Sequence, residues 1–319
     1  MYQRCQLPFA IAFVLSLMLF GGTARAEDIG GVIPVTKVIF ENSRLISDVH
    51  CLQLDNGPCI QFGAPGIKLE LNGFMMTGVT ATDPIVPVDP PADCSAGPLG
   101  PGAPGGPDGI AAVGQNDIVI HGPGLIQKFR RHGIYLSGLS KATVKRIVSH
   151  HNCFSGLLMG GVQPVTESLV EEIVSVRNAS GSGASPCGGT CITNSHNNRI
   201  RRSEFAGTGS LAPGAPTGAF PNDFGVGLIG TSSGNIIEEN GIGGNINGVL
   251  LAPLTKGNVI RKNVIAGNPP VQFGPVGADV RDFSGVGANM FEENLCITYT
   301  GASPSPCTKL PQFAGHQNN

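Results

Sequence analysis

Short runs of Val, Ile and Leu alternate with polar residues along most of the chain, and Gly, Asn or Ser interrupts each run within a few residues. A two-residue alternation is the mark of a strand with one buried face, and no helical spacing lies between the runs. The runs also repeat. Gly133-Ile-Tyr-Leu136, Gly156-Leu-Leu-Met159, Gly225-Val-Gly-Leu228 and Gly248-Val-Leu-Leu251 are alike, and 23 residues separate the first two and the last two. Gly109-Ile-Ala-Ala112 opens the series 24 residues before Gly133. A second run follows each start: Thr143 to Ile147, Leu169 to Ile173, Arg199 to Ser203, Ile236 to Asn240, Val259 to Asn263 and Met290 to Asn294. Self-similarity at this period predicts a stacked solenoid. Leucine-rich repeats share the period but carry fixed Leu positions, whereas these runs favour Val and Ile. The sequence predicts an all-β, parallel β-helix of about eight coils, roughly 38 Å long at about 4.8 Å per coil.

Each second run carries a charged pair, and its sign alternates from coil to coil. The pairs read Lys145-Arg146, Glu171-Glu172, Arg201-Arg202, Glu238-Glu239, Arg261-Lys262 and Glu292-Glu293. Stacked in parallel coils, each charge faces opposite charges above and below, worth about 0.2–1 kcal/mol per pair. A slip by one coil would oppose like charges, so the pattern also fixes register. Taken singly, Glu171-Glu172 or Glu238-Glu239 suggests an acid/base dyad, but adjacent strand residues point to opposite faces. The pairs are architecture. Asn240, Asn263 and Asn294 follow them and read as stacked corner asparagines, and Phe129, Phe154 and Phe205 read as interior stacking residues.

The first 26 residues break the pattern. Arg4, the apolar run Leu7 to Phe20 and Ala24-Arg25-Ala26 describe a cleavable secretory signal, with the solenoid in 27–319. The run is short for a membrane anchor. The expected product is secreted or periplasmic, and monomeric. Export agrees with the cysteines. Of 9 Cys, Cys5 leaves with the signal; Cys51 with Cys59, Cys187 with Cys191 and Cys296 with Cys307 are close neighbours, leaving Cys94 and Cys153 as a distant pair. A zinc site would need a tighter Cys or His spacing.

Composition narrows the partners. The formal net charge is −2 and only 13% of residues are charged, which excludes a nucleic-acid-binding surface on the scale of the whole chain. With 47 Gly and 25 Pro in 319 residues, long helices are disfavoured.

The segment from Ile46 to Gly78 contains Ile-Ser-Asp-Val-His-Cys51, Asn56-Gly-Pro-Cys-Ile60, Gly66 to Gly73 and Met76-Thr-Gly78. It resembles the opening coils of exported right-handed β-helix proteins of the pectin-lyase-like superfamily. The Gly-Ile-x-Leu and Asn-x-Ile-x-x-Asn coils resemble their repeats, so the likeness runs from about Val35 to Cys307. It implies fold more than function, since members include polysaccharide lyases, glycoside hydrolases, epimerases, copper-enzyme maturation factors and proteins without assigned activity.

Gly/Pro-rich excursions at Val79 to Asp108, Ala179 to Gly189, Gly207 to Phe224 and Asn268 to Asp282 all fall after the charged run and before the next Gly-initiated strand. They are expected to leave one corner and wall a groove for an extended polymer, or else to be tolerated surface loops. Asp108, Arg130, Arg131, His132, Asn222, Asp223 and Asp282 precede the Gly-initiated strands. Lys128, Arg130, Arg131, Lys141, Lys145, Arg146 and four His form a basic stretch with Asp117 the one acid nearby. Such a patch suits a uronate-rich polysaccharide. In a lyase, Arg130 or His132 would take the C5 proton while Asp108 and Asp223 hold a Ca²⁺ beside the carboxylate. In a glycosidase the paired Asp would act as acid and base. Neither set matches the superfamily's clustered Asp-Asp and Gly-His-Gly of polygalacturonases or the Asp-Pro-His-Asp of alginate epimerases. Gly225 to Gly230 fits a dinucleotide pattern but opens a strand rather than a helix. His150-His151-Asn152 reads as a hydrogen-bonding corner, and Asn178-Ala-Ser180 is a glycosylation sequon. The absence of Trp and the presence of only Tyr135 and Tyr299 beyond the signal weigh against neutral glycans. The expected function is therefore binding or cleavage of an extracellular acidic polysaccharide. The alternatives are a non-catalytic surface scaffold or adhesin-like module and, on fold analogy alone, a periplasmic maturation factor.

Overall fold

The computed structural model describes residues 26–52, 57–78, 108–178, 188–207, 224–268, 277–301 and 305–308. All regular structure among them is β. One sheet stacks ten parallel strands in chain order: Lys37–Ile39, Ile60–Phe62, Ile110–Val113, His132–Ser137, Ser155–Gly160, Thr190–Thr193, Phe224–Ile229, Asn247–Leu251, Val280–Asp282 and Tyr299–Gly301. Here it is called the short sheet. Most of the remaining strands form a second, bent sheet of seventeen strands, and Leu139–Ser140 pairs with Val165–Thr166 in a small third one, so the chain winds as a parallel β-helix. Ten stacked strands exceed the eight coils expected. Coils at both ends, through Ile39 and Phe62 and through Val280 and Tyr299, lack the Gly-initiated motif and could not be counted by it. At about 4.8 Å per step, nine steps give a rod of about 43 Å.

The bend in the large sheet follows from the charged pairs. The second residue of each pair sits in the left-handed region: Arg146 (φ 59°), Glu172 (53°), Arg202 (48°), Glu239 (57°), Lys262 (54°) and Glu293 (52°). That conformation turns the chain and separates the two residues of each pair. The first residues then stack as the alternation requires, Lys145 on Glu171, Glu171 on Arg201, Arg201 on Glu238, Glu238 on Arg261 and Arg261 on Glu292. The same column continues backwards through His121, Glu70, Arg44 and Asp28. The column thus has ten rungs, nine of them charged, with His121 as the one uncharged step. Burial, followed by Lys68 and Arg146, holds the His121 pKa below the usual value.

Inside the tube, Leu69, Ile120, Val144, Val170, Ile200, Ile237 and Ile260 form one continuous buried column. The corners hold polar ladders instead. At the bend, Asn240 donates to Asn263 and Asn263 to Asn294, each amide also reaching a backbone carbonyl of the preceding rung, as expected. A second ladder, Asn198–Asn235–Asn258–Asn289, lines the entry to the large sheet. A third, Asn245–Asn268–Asp279, lines the corner leading to the short sheet, where Asn152 and Asn178 also stack. Turning corners frees backbone groups, and these amides satisfy them without water. Asn178 is 1% exposed with its amide donating to Ser149 O, so the sequon asparagine is an interior ladder residue rather than a glycosylation site in the folded chain.

Disulfides join Cys51 to Cys59 and Cys296 to Cys307, as the spacing predicted. Cys153 and Cys191 are also disulfide-bonded. Cys94 and Cys187, and all but the last residue of the expected signal at 1–26, lie outside the described residues.

Candidate functional site

Each coil crosses from the large sheet to the short sheet at one corner, and in six coils the residue there is a glycine with no room for a side chain. A Cβ on Gly109, Gly133, Gly156, Gly189, Gly225 or Gly248 would lie 2.4–2.9 Å from the carbonyl oxygen of the equivalent residue one coil on. The same Cβ would point into the tube, towards Ile126 and Phe129 from Gly109 and towards Ser149 from Gly133. The residue before each glycine therefore points outward. Asp108, His132 and Ser155 occupy that position in three successive coils.

They form one contact chain. The Asp108 carboxylate accepts the His132 backbone N–H (3.1 Å) and faces the Arg131 guanidinium at 3.8 Å. His132 Nδ1 is 2.6 Å from Ser155 Oγ. The imidazole stacks on Tyr135 at 5.9 Å and meets Phe154 at the same distance. Arg131 also lies over the Tyr135 ring, 6.0 Å from its centre. Asp108, His132 and Ser155 are buried, while Arg131 and Tyr135 are half-buried and Arg130 is exposed. Burial pushes the Asp108 pKa up to about 6 against the opposing pull of Arg131 and the His132 N–H. Burial, then Arg131, pushes the His132 pKa down to about 3. At neutral pH the cluster therefore holds a carboxylate, a guanidinium and an uncharged imidazole.

Ser155 and His132 do not make a nucleophilic pair. Ser155 is 0% exposed, and its neighbours' amides are committed, Gly156 N–H to Gly188 O and Phe154 N–H to Arg131 O, so neither serves an oxyanion. No group of three His, Cys, Asp or Glu side chains gathers among the described residues, so the set expected around a Ca²⁺ has only Asp108 in view. Asp223 and Asn222 lie outside the described residues, as do most of the four excursions. The described flanks, Gly78 and Asp108, Asn178 and Gly188, Gly207 and Phe224, Asn268 and Gly277, attach all four to this same corner.

Several sequence expectations change here. The basic stretch is divided: Arg130, Arg131 and His132 lie at this corner, Lys145 is in the large sheet paired with Glu171, and Arg146 takes the bend. Helical winding separates residues that are close in sequence. Phe129 and Phe205 are interior, but Phe154 is half-buried against His132. Asp282 belongs to the inward-facing column beside Leu251 and is capped by Ser284, away from Asp108. His150 and His151 do form a hydrogen-bonded corner, their Nδ1 atoms 2.7 Å apart. Ser155 and Tyr135 were not anticipated. Ser155 had the same signal as Asp108 and His132, the place before the strand-opening glycine, but a serine there carries no charge to attract notice.

A family model for the right-handed β-helix region matches residues 109–295. No curated protein matches the chain. Among solved structures, tailspike protein 2 of an Escherichia coli O157:H7 bacteriophage is 13% identical with a TM-score of 0.55, covering 87% of this chain and 37% of the tailspike. A mutant of the periplasmic alginate epimerase AlgG is 14% identical with a TM-score of 0.50, covering 84% of this chain and 58% of the epimerase. The chain thus spans well under two thirds of these structures, and at such identity the likeness is one of fold.

Proposed function

The chain belongs to the right-handed β-helix family, and from that premise we propose that it is an exported protein that binds an extracellular acidic polysaccharide at the corner bearing Asp108, Arg131 and His132. One observation carries this reading. A half-buried guanidinium and an uncharged imidazole, both packed on the Tyr135 ring, sit where every long excursion joins the coil. Arg is suited to carboxylates, and the ring holds it in place at little entropic cost. The fold shared with an alginate epimerase supports a uronate polymer as the ligand class, and the disulfides support export.

Cleavage is the second reading. It is favoured by the opposed shifts of Asp108 and His132, because acid and base roles go to groups whose surroundings push their pKa values apart. Asp223 and Arg130 would complete the acid/base set. Burial of Asp108 and His132, and their engagement by Arg131 and Ser155, favour binding without turnover.

A depolymerisation screen on pectate, alginate and glycosaminoglycans, with and without Ca²⁺, separates the two. Retention of an acidic polymer without new reducing ends supports binding. Unsaturated-uronate absorbance with reducing ends establishes a lyase, and reducing ends alone establish a hydrolase. Absence of both retention and cleavage across the panel removes the polysaccharide reading.

A further inference from the structure

We propose that Ser155 locks His132 in the uncharged tautomer that carries its proton on Nε2, so that the imidazole presents an N–H donor, rather than a basic lone pair, to a carboxylate held by Arg131. The ligand part of this proposal rests on the acidic-polysaccharide reading above. The tautomer follows from hydrogen accounting. Among the described residues the Ser155 hydroxyl meets no hydrogen-bonding group other than His132 Nδ1, and the residue is 0% exposed. If Nδ1–H donated to Ser155, the hydroxyl hydrogen would be buried with nothing to accept it, costing about 1–3 kcal/mol. If the hydroxyl donates to Nδ1, its hydrogen is satisfied and the ring proton must be on Nε2.

Nε2 in turn has no hydrogen-bond partner among the described residues, yet it is not among the fully buried orphaned atoms. It keeps a small accessible surface on a ring that is otherwise enclosed, His132 being 4% exposed. The groups facing the imidazole are Arg131, Tyr135, Phe154 and Ser155, with Asp108 on its backbone N–H. Burial, and then the Arg131 cation, keep the ring uncharged, and among the described residues no carboxylate meets either ring nitrogen. A neutral imidazole held as a donor polarises or binds an oxygen without exchanging a proton with it. Ser155 is accordingly a positioning residue.

The test is long-range ¹⁵N–¹H correlation NMR on the purified chain with ¹⁵N-labelled histidine, His132 being assigned by its loss in His132→Gln. The expected result is a protonated Nε2 and an unprotonated Nδ1, unchanged from pH 8 to pH 5. Protonation on Nδ1, or an imidazolium signature by pH 5, overturns the proposal. In Ser155→Ala the ring is expected to redistribute between tautomers while staying uncharged, because burial and Arg131 remain, whereas Ser155→Thr, which keeps the hydroxyl, retains the Nε2–H signature. Persistence of the wild-type signature in Ser155→Ala also overturns it, and Ser155→Thr together with the wild-type spectrum decides the matter if Ser155→Ala does not fold. Oligogalacturonate added to the wild type is expected to shift the Nε2–H resonance. A correct tautomer with no shift removes the ligand reading, while a shift with the opposite tautomer removes the lock and leaves the ligand reading standing.

Discussion

Asp108 and His132 are neighbours whose buried positions make opposite demands on pH. Asp108 titrates near 6 in the folded chain against about 3.9 unfolded, so it contributes stability below about pH 4 that is lost as pH rises to 6. His132 titrates near 3 against about 6.5, so it contributes stability above pH 6.5 that is lost as pH falls towards 3. Between pH 4 and 6 the two slopes oppose each other at about 1.4 kcal/mol per unit. Asp108→Asn is expected to remove one side of that balance. Denaturant unfolding should show the variant gaining on the wild type by about 2–3 kcal/mol from pH 4 to pH 7. A difference that does not vary with pH would mean that Asp108 is not desolvated. This residue-scale detail was only partly legible in the sequence. The place before each strand-opening glycine identified Asp108 and His132, but nothing in the order of residues shows that one accepts the other's backbone N–H or that Ser155 lies above them. Those contacts are made between coils more than 20 residues apart.

Among the repeating elements, the strand-opening glycine and the first charge of each pair do different work. Gly225 has no room for a side chain: a Cβ would meet Ile242 at 2.5 Å and the carbonyl of Gly248 at 2.9 Å. Gly241 faces open space. Gly225→Ala is expected to cost about 1–3 kcal/mol and Gly241→Ala close to nothing, measured by thermal or denaturant melts. In the charge column, Glu238 is buried between Arg199 and Arg261, and their hydrogen bonds hold its pKa below the usual range despite desolvation. Glu238→Arg places like charges against Arg201 and Arg261 and is expected to cost about 3 kcal/mol. Glu239→Arg, one residue on at the exposed bend, is expected to change stability by less than about 0.5 kcal/mol. The alternation of sign was readable in full from Lys145 to Glu293, because stacking of parallel coils turns a sequence period into a spatial column. Its continuation through His121, Glu70, Arg44 and Asp28 was not, since the opening coils depart from the repeat length.

At the scale of the whole molecule, the described ends of the rod are stapled. Cys51–Cys59 closes 8 residues and Cys296–Cys307 closes 11, each worth about 2.5 kcal/mol by loop entropy. Because each coil contacts only its neighbours, reduction is expected to fray the ends first. Hydrogen exchange should quicken at Lys37–Phe62 and Met290–Thr308 while Val119–Arg261 stays protected; uniform loss of protection would mean that the rod melts as one unit. The rod also explains why a stretch of basic residues does not make a basic face: one coil carries Arg131 and Lys145 to different sides. The proposed ligand of this corner is an acidic polysaccharide held through Arg131. Calorimetric titration with a uronate hexamer and a neutral hexamer, into the wild type and Arg131→Gln, tests it most directly. The expected result is binding of the uronate alone, weakened at least tenfold in Arg131→Gln with the melting temperature preserved. Equal affinity for the two hexamers, or equal affinity in the two proteins, would contradict it.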